Sequence, residues 1–265
     1  MIRIATPISH LFEDKEAANE IIKVSDCLEC RDRYISSRWP NQKLIHFDAS
    51  IIWNWSSKEK RYLKSSIMMK KDLELITFHL DSCYHKPKIV DNMYVPGSVK
   101  YSTSELFENA RDNINWLKSF LPEKILIGVE NNNYYPTKAY EHVTDSDFIT
   151  KVVKDNKLRF LLDISHAKIT SHNRKIPYVE YISNLPMDET IQLHVCKNEI
   201  NNLGLAVDVH NVPDDDIYEE VAELIKKYPI EYITIEYYRD KDSLVSELKR
   251  YRELCKNTQS SLREV

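Results

Sequence analysis

Ile125-Leu126-Ile127-Gly128-Val129-Glu130 is an apolar run that stops on a carboxylate, and Phe160-Leu161-Leu162-Asp163 repeats the pattern. Four more runs end alike: Lys43-Leu44-Ile45 into His46, Leu75-Ile76-Thr77-Phe78 into His79, Thr190-Ile191-Gln192-Leu193 into His194, and Tyr232 to Ile235 into Glu236. Histidine and acidic residues are about one residue in five, so composition alone puts one at about every fifth run end, not at all six. In a closed parallel sheet the strand C-termini open onto one face, where their side chains converge. The point of convergence reads as a metal site.

Around these runs the spacing predicts eight strands: Ile2 to Ile8, Cys27 to Cys30, Leu44 to Asp48, Leu75 to Asp81, Ile125 to Asn131, Phe160 to Ser165, Ile191 to Cys196 and Tyr232 to Tyr238. Helical patterns lie between them over Glu13 to Val24, Lys58 to Asp72, Ser104 to Phe120, Asp145 to Asp155, Pro177 to Ser183, Asp214 to Lys227 and Asp240 to Cys255. Ser104 ahead of Glu105, and Asp214-Asp215-Asp216, are helix start signals. The alternation predicts class α/β and a (β/α)8 TIM barrel. Arg31 to Gln42 holds Pro40 and no apolar period, so a short loop replaces the second helix. Tyr84 to Tyr101, with Pro87, Pro96 and Gly97, reads as a long loop over the barrel mouth. No Gly/Ser linker divides the chain, so one domain over residues 1–265 is expected.

Charge and cysteine usage narrow the function. A net charge of −4 carries no bulk basic excess, so nucleic acid is not an expected partner. No run reaches the about 18 apolar residues of a membrane span, and the start lacks a signal peptide's apolar stretch, so a cytoplasmic location is expected. The five cysteines at 27, 30, 83, 196 and 255 fit unpaired thiols in a reducing compartment. On a strand, Cys27 and Cys30 face opposite sides and cannot share one ion.

Two short motifs extend the ligand set. Asp163-Ile164-Ser165-His166 puts an imidazole just past a strand end, and Asp208-Val209-His210 spaces two ligands on one side of an extended chain. The candidates are His46, His79, Glu130, Asp163, His166, His194, Asp208, His210 and Glu236. Five imidazoles and four carboxylates suit two or three ions and fit zinc, iron or manganese. Singly, His46 reads more readily as a hydrogen-bonded core or surface histidine, Asp163 can be a helix or turn cap, and an Asx turn near a loop explains Asp208 and His210 equally well. As a set, carboxylates crowded into one mouth without cations would repel and desolvate at a cost of several kcal/mol. His10, His85, His142 and His172 lack the strand-end placement.

Glu130-Asn131-Asn132-Asn133-Tyr134-Tyr135-Pro136, Leu161 to Ala167 with Asn173, Leu193-His194-Val195, Asp208-Val209-His210 and Ile235-Glu236-Tyr237-Tyr238 resemble the multinuclear non-haem iron-dependent oxidases, the group that includes the methanobactin-biosynthesis oxidase. The similarity runs from about Leu44 onward. It implies a xylose-isomerase-like barrel holding two or three irons and using dioxygen to modify a ribosomally made precursor peptide, commonly at cysteine, often with a peptide-presenting partner protein. By that pattern one metal takes His46, His79 and Glu130. A second shares Glu130 and adds Asp163, His194 and Glu236, and a third takes His166, Asp208 and His210. Glu130, Asp163, His194 and Glu236 would form the catalytic centre, and Asn131, Asn173 and Tyr238 would orient substrate or a ligand. One departure is Tyr237, where many members carry an acidic residue.

The same ligand order also resembles endonuclease IV, a trinuclear zinc phosphodiesterase on this barrel. Its loops need cations around the mouth, whereas Lys58, Lys60, Arg61, Lys64, Lys70 and Lys71 fall mostly along a predicted helix and read as its solvated face. A metal-dependent sugar isomerase or epimerase, and a barrel that only binds metal or a partner, are the other readings.

Overall fold

The structure is a computed structural model that describes residues 2–97 and 99–261. Eight strands, β1 (Arg3–Pro7), β2 (Cys27–Arg31), β3 (Gln42–Ser50), β4 (Leu75–His79), β5 (Leu126–Glu130), β6 (Arg159–Asp163), β7 (Thr190–Val195) and β8 (Tyr232–Ile235), pair in parallel in chain order, and β8 closes on β1. Helices α1 (Lys15–Val24), α2 (Ser57–Met68), α3 (Thr103–Lys118), α4 (Ser146–Asn156), α5 (Ile164–Arg174), α6 (Tyr178–Ser183), α7 (Asp215–Lys227) and α8 (Lys241–Ser261) follow the strands. This is the expected (β/α)8 barrel. After β2 only a single turn of 3-10 helix, Asp32–Tyr34, forms, as the missing apolar period predicts.

Several boundaries differ from expectation for local reasons. The expected strand Leu44 to Asp48, with His46 inside it, is extended at both ends, because β3 begins at Gln42 and runs on to Ser50 with a register shift after Phe47. Asp163 caps a helix at once, accepting from the His166 backbone N–H at 2.7 Å, so β6 stops there and Ile164 opens α5. That helix has no counterpart among those predicted, because its polar Ser165, Thr170 and Ser171 are buried like its apolar residues and no amphipathic period shows. The start of α3 is set by Ser102, whose side chain and that of Glu105 form a reciprocal capping box, not by Ser104.

The long loop is also more ordered than its prolines and glycine suggest. Lys88–Val90 pairs antiparallel with Met93–Val95, and Tyr84–His85 with Val99–Lys100. Asp91 and Asn92 both take positive φ, 50° and 61°, which suits the two-residue turn joining the inner pair. Ser98 lies outside the described residues.

Inward residues of the strands stack in layers. Ala5, Cys27, Leu44, Leu75, Ile191 and Tyr232, with Leu126 against them, fill the N-terminal end with an apolar plug. The larger core, between barrel and helices, includes Cys30, so the two thiols face opposite sides as expected. Beyond the plug the interior turns polar: Thr77 and Thr234, two residues on from Leu75 and Tyr232, and Gln192, next to Ile191, are all buried, with His46 level with Thr77 and the other candidate ligands at or beyond this level.

Glu74 ties the sealed end together. Its carboxylate lies 2.6 Å from both Arg3 Nη1 and Lys43 Nζ and accepts from Tyr232 Oη at 2.6 Å. Burial is the largest single influence and would raise its carboxyl, but Lys43, Tyr232 and Arg3 together outweigh it and lower the value to about 2 from an ordinary 4.5. A depressed folded value stabilises fully above 4.5 and fades as pH falls toward 2. With the side chain 34% exposed, screening limits the contribution. Glu74→Gln is expected to cost about 1 kcal/mol at pH 7, or roughly 2–4 °C in Tm. Thermal melts should show the gap to wild type closing between pH 4.5 and 2.

Candidate metal centre

Glu130, at the end of β5, is the hub. Its Oε2 lies 2.8 Å from His79 Nδ1 and 3.4 Å from His46 Nε2. Its Oε1 lies 2.9 Å from His194 Nδ1 and 3.9 Å from His166 Nδ1. The two oxygens therefore face two separate groups of imidazoles. From there the network runs on through His194 Nδ1 to Glu236 Oε1 at 3.3 Å, Glu236 Oε2 to His210 Nε2 at 3.5 Å, and His210 Nδ1 to Asp208 Oδ1 at 3.4 Å. Asp208 Oδ2 lies 3.5 Å from His166 Nε2, which is 3.9 Å from Asp163 Oδ2. All nine candidate ligands fall in one connected cluster.

They arrive on different supports. His46, His79, Glu130, Asp163 and His194 stand on barrel strands and Glu236 directly follows β8, whereas His166 is on the first turn of α5. Asp208 and His210 sit on a strand, Ala206–Asn211, paired antiparallel with Lys197–Ile200 beyond β7, so the loop expected there is a hairpin. His210 has φ +47°, a strained conformation for a residue with a Cβ, and its imidazole packs against Tyr238 with ring centroids 5.2 Å apart and the planes tilted by 40°.

Two of the imidazoles, His46 and His166, pair one nitrogen with a partner outside the ligand set. His46 Nδ1 meets Thr77 Oγ1 at 2.8 Å, leaving Nε2 toward His79 and Glu130. His166 Nδ1 meets the Asn131 carbonyl at 2.9 Å, leaving Nε2 toward Asp163 and Asp208. A metal-bound histidine needs this arrangement, a partner for one nitrogen and a free lone pair on the other. Buried carboxylate oxygens point the same way, since Glu130 Oε2 and Asp163 Oδ2 have no hydrogen bond. The donor set fits a metal centre. Groups close enough to hold an ion are His46, His79 and Glu130; Glu130, Asp163 and His166; Glu29, His194 and Glu236; and Cys196, His210 and Glu236.

Charge within the cluster is balanced by protons on imidazole. Burial opposes charge on His79, but Glu130 and Asp81 outweigh it and raise His79 to about 9. His166, His194 and His210 are likewise raised against burial, by Asp163, by Glu236 and by the Glu236 hydrogen bond respectively. Glu130 and Glu236 are held well below the usual carboxylate range despite burial, chiefly by His46 and by His194. Asp163 goes up to about 7, through burial and then the carboxylates around it, with His166 opposing. His46 is pushed down by burial, then by Arg31 and His79. Cations compete for these positions with protons, so metal uptake releases protons.

The three residues expected to orient substrate have other contacts. Asn131 donates to the Asp163 carbonyl and accepts from its N–H, both at 2.9 Å, which locks Asp163 in place. Asn173 donates to Tyr134 and Ala206 carbonyls and accepts from the Ala206 N–H, anchoring the strand that carries Asp208 and His210. Tyr238 donates to Glu236 Oε1 at 3.4 Å. Tyr237 turns away and donates its O–H to Asp240 Oδ2 at 2.5 Å. His10 and His142 are exposed, His85 meets Tyr101 Oη, and His172 Nε2 meets the Gly204 carbonyl at 2.9 Å. Of the six cationic side chains weighed for a nucleic-acid groove, Lys60 and Lys64 lie over Trp116 and Phe120, Lys70 binds Gln42, and Lys58, Arg61 and Lys71 are exposed on or just after α2.

Residues outside the sequence-based set also belong here. Glu29, Arg31, Gln192 and Asp81 surround the cluster, and Glu29 and Arg31 show a signal that was open to reading, two charges at i, i+2 inside an otherwise apolar strand. A cavity of about 290 Å³ opens beside His79 and His166, walled by Ile89, Tyr94, Tyr140 and Asp81. The Lys88–Val95 hairpin forms its roof.

Comparison with known proteins follows the same lines. The curated relatives include the UPF0276 protein of Alcanivorax borkumensis, 25% identical over 164 residues, 60% of this chain and 52% of that protein. The UPF0276 protein of Shewanella loihica is 24% identical over 139 residues, 52% of this chain and 47% of that one. The chain thus spans about half the length of the curated relatives it matches. Among solved structures, a xylose isomerase domain protein from Alicyclobacillus acidocaldarius matches with TM-score 0.63 at 12% identity, covering 98% of this chain and 100% of that one. A D-tagatose 3-epimerase-like protein matches with TM-score 0.58 at 18% identity over 98% of this chain and 100% of that one. At these identities the structures share the fold, a xylose-isomerase-like TIM barrel. The family model described as RiPP precursor modification enzyme MbnB/TglH/ChrH matches residues 61–260, three quarters of the sequence, and the chain belongs to that family.

Proposed function

We propose that this chain is a multinuclear iron-dependent oxidase that uses dioxygen to modify a ribosomally made peptide at cysteine. The observation that carries the reading is Glu130, whose two carboxylate oxygens face different imidazole groups, the arrangement a carboxylate bridging two metal ions requires. Membership of a peptide-modifying family supports the substrate class. Iron, unlike zinc, supplies redox chemistry together with open coordination positions for a thiolate and dioxygen.

The chain's own groups do the rest. Thr77 and Asn131 hold His46 and Asp163 so that each offers one donor atom inward. The cavity under the Lys88–Val95 hairpin would take one residue of the peptide, with Ile89, Tyr94 and Tyr140 excluding water from its side. Five buried, unpaired thiols suit a reducing, cytoplasmic setting. No helix among the described residues is long and apolar enough to cross a membrane. A separate protein that presents the peptide would complete recognition.

Protein purified without oxygen is expected to hold two to three metal ions per chain, mainly iron, by elemental analysis, with Mössbauer spectra showing a coupled pair. Stoichiometric zinc as the only metal, together with cleavage of abasic DNA, would replace this reading with the phosphodiesterase one.

A further inference from the structure

Strand β2 carries two charges into the barrel, and both touch candidate ligands from behind. Glu29 is fully buried, accepts from Gln192 Nε2 at 2.6 Å, and its Oε2 lies 3.1 Å from His194 Nε2. Its other oxygen lies 2.7 Å from Arg31 Nη2, and the same guanidinium nitrogen bonds Glu236 Oε1. His194 presents its opposite nitrogen, Nδ1, to Glu130 and Glu236. Gln192 offers only N–H groups at that point, so Glu29 is the acceptor for an Nε2–H of His194.

We propose that Glu29 and Arg31 are the positioning pair of the central metal site. Glu29 fixes His194 as the tautomer protonated on Nε2, so that Nδ1 offers its lone pair to the cation. Arg31 engages Glu236 through Oε1, the oxygen 3.3 Å from His194 Nδ1, and so holds that carboxylate against His194 while Oε2 reaches His210 at 3.5 Å. The pair is neutral overall, orienting two ligands without adding charge to a site already rich in carboxylate. In hydrogen bonds and ion pairs neither residue touches His46, His79, Asp163 or Asp208, so the positioning effect falls first on the ion held by His194 and Glu236, although the Arg31 charge is also felt at His46. The proposal rests on the reading of the cluster as a metal centre and not on the oxidation chemistry.

Competition titration of the whole chain with cobalt(II) alone, against a chelator, tests it. Glu29→Leu should weaken one ion of the set about 10- to 100-fold and leave the others at wild-type affinity. Glu29→Gln, which keeps an acceptor, should stay within a few-fold of wild type. In the zinc-loaded protein, nitrogen-15 NMR should find His194 protonated on Nε2 in wild type and Glu29→Gln and not uniquely so in Glu29→Leu. Because Glu29→Leu leaves Arg31 facing an apolar side chain, Glu29→Leu/Arg31→Met removes both charges; folded by thermal melt, it should show the same selective loss. Wild-type affinity for every ion in Glu29→Leu or the double variant, or metal on His194 Nε2, overturns the proposal. A wild type that takes up no metal overturns the metal-centre reading with it.

Discussion

Glu130→Ala should leave a folded barrel that binds at most one or two separate ions and has lost peptide oxidation by more than about 100-fold, beyond what residues that merely support a ligand contribute. The size of the effect follows from geometry. Glu130 is the only one of the nine candidates in contact with four imidazoles, so its removal breaks both the pair and the spacing between its members. Elemental analysis and Mössbauer spectroscopy read the loss of the coupled pair directly. His172→Ala is the control: its ring meets a hairpin carbonyl away from the cluster and should change neither metal nor activity. If Glu130→Ala kept two coupled ions, the bridge would lie on another carboxylate, with Asp163 the next candidate.

The second large effect is expected from the roof. Removing residues 86–97 and rejoining the chain opens the cavity beside His79 and His166 and should weaken peptide binding by 10-fold or more, on the order of the 1.4 kcal/mol that a well-buried contact contributes. Metal content should hold, since none of the nine candidate ligands lies in that segment. Asp208 and His210 stand on the other hairpin, beyond β7, which the deletion does not touch. Tyr94 is the part of the roof most tied to the body, through its N–H to Tyr140 Oη at 2.8 Å, so a milder variant, Ile89→Asp, separates loss of surface from loss of packing. Unchanged affinity in a titration of the metal-loaded deletion variant would put recognition on a separate presenting protein.

What the sequence discloses here, and what it hides, follows physical lines. Residues at strand ends are legible because apolar runs mark the strands and a His or carboxylate breaks the run, which is how His79, Glu130, Asp163, His194 and Glu236 can be read without a structure. His46 is legible as a ligand inside a strand, but the strand's run past it to Ser50 is not, because the polar Asp48 interrupts the apolar run. Helix α5 escapes because burial on all sides erases amphipathic period. The hairpins over the mouth escape for the opposite reason: their strands are two to six residues long and half exposed, too short for alternation to stand out. Glu29 and Arg31 do show in the sequence as two charges at i, i+2, but their strand ends on an arginine and not on a His or carboxylate, so the strand-end pattern that marks the other residues does not mark them.

Asp163 does two jobs with one carboxylate. Oδ1 receives the His166 backbone N–H and so begins α5, while Oδ2 is left without a hydrogen bond beside His166 and Glu130. Because strand passes into helix here with no intervening loop, the first turn of α5 and the occupancy of the site are thermodynamically linked: whatever binds Oδ2 stiffens the cap, and whatever frays the cap releases Oδ2. The His166 amide therefore serves as a built-in gauge, its hydrogen exchange slowing as the site fills, and a chain emerging from synthesis in metal-poor conditions would keep this one seam of an otherwise closed barrel the most open to exchange.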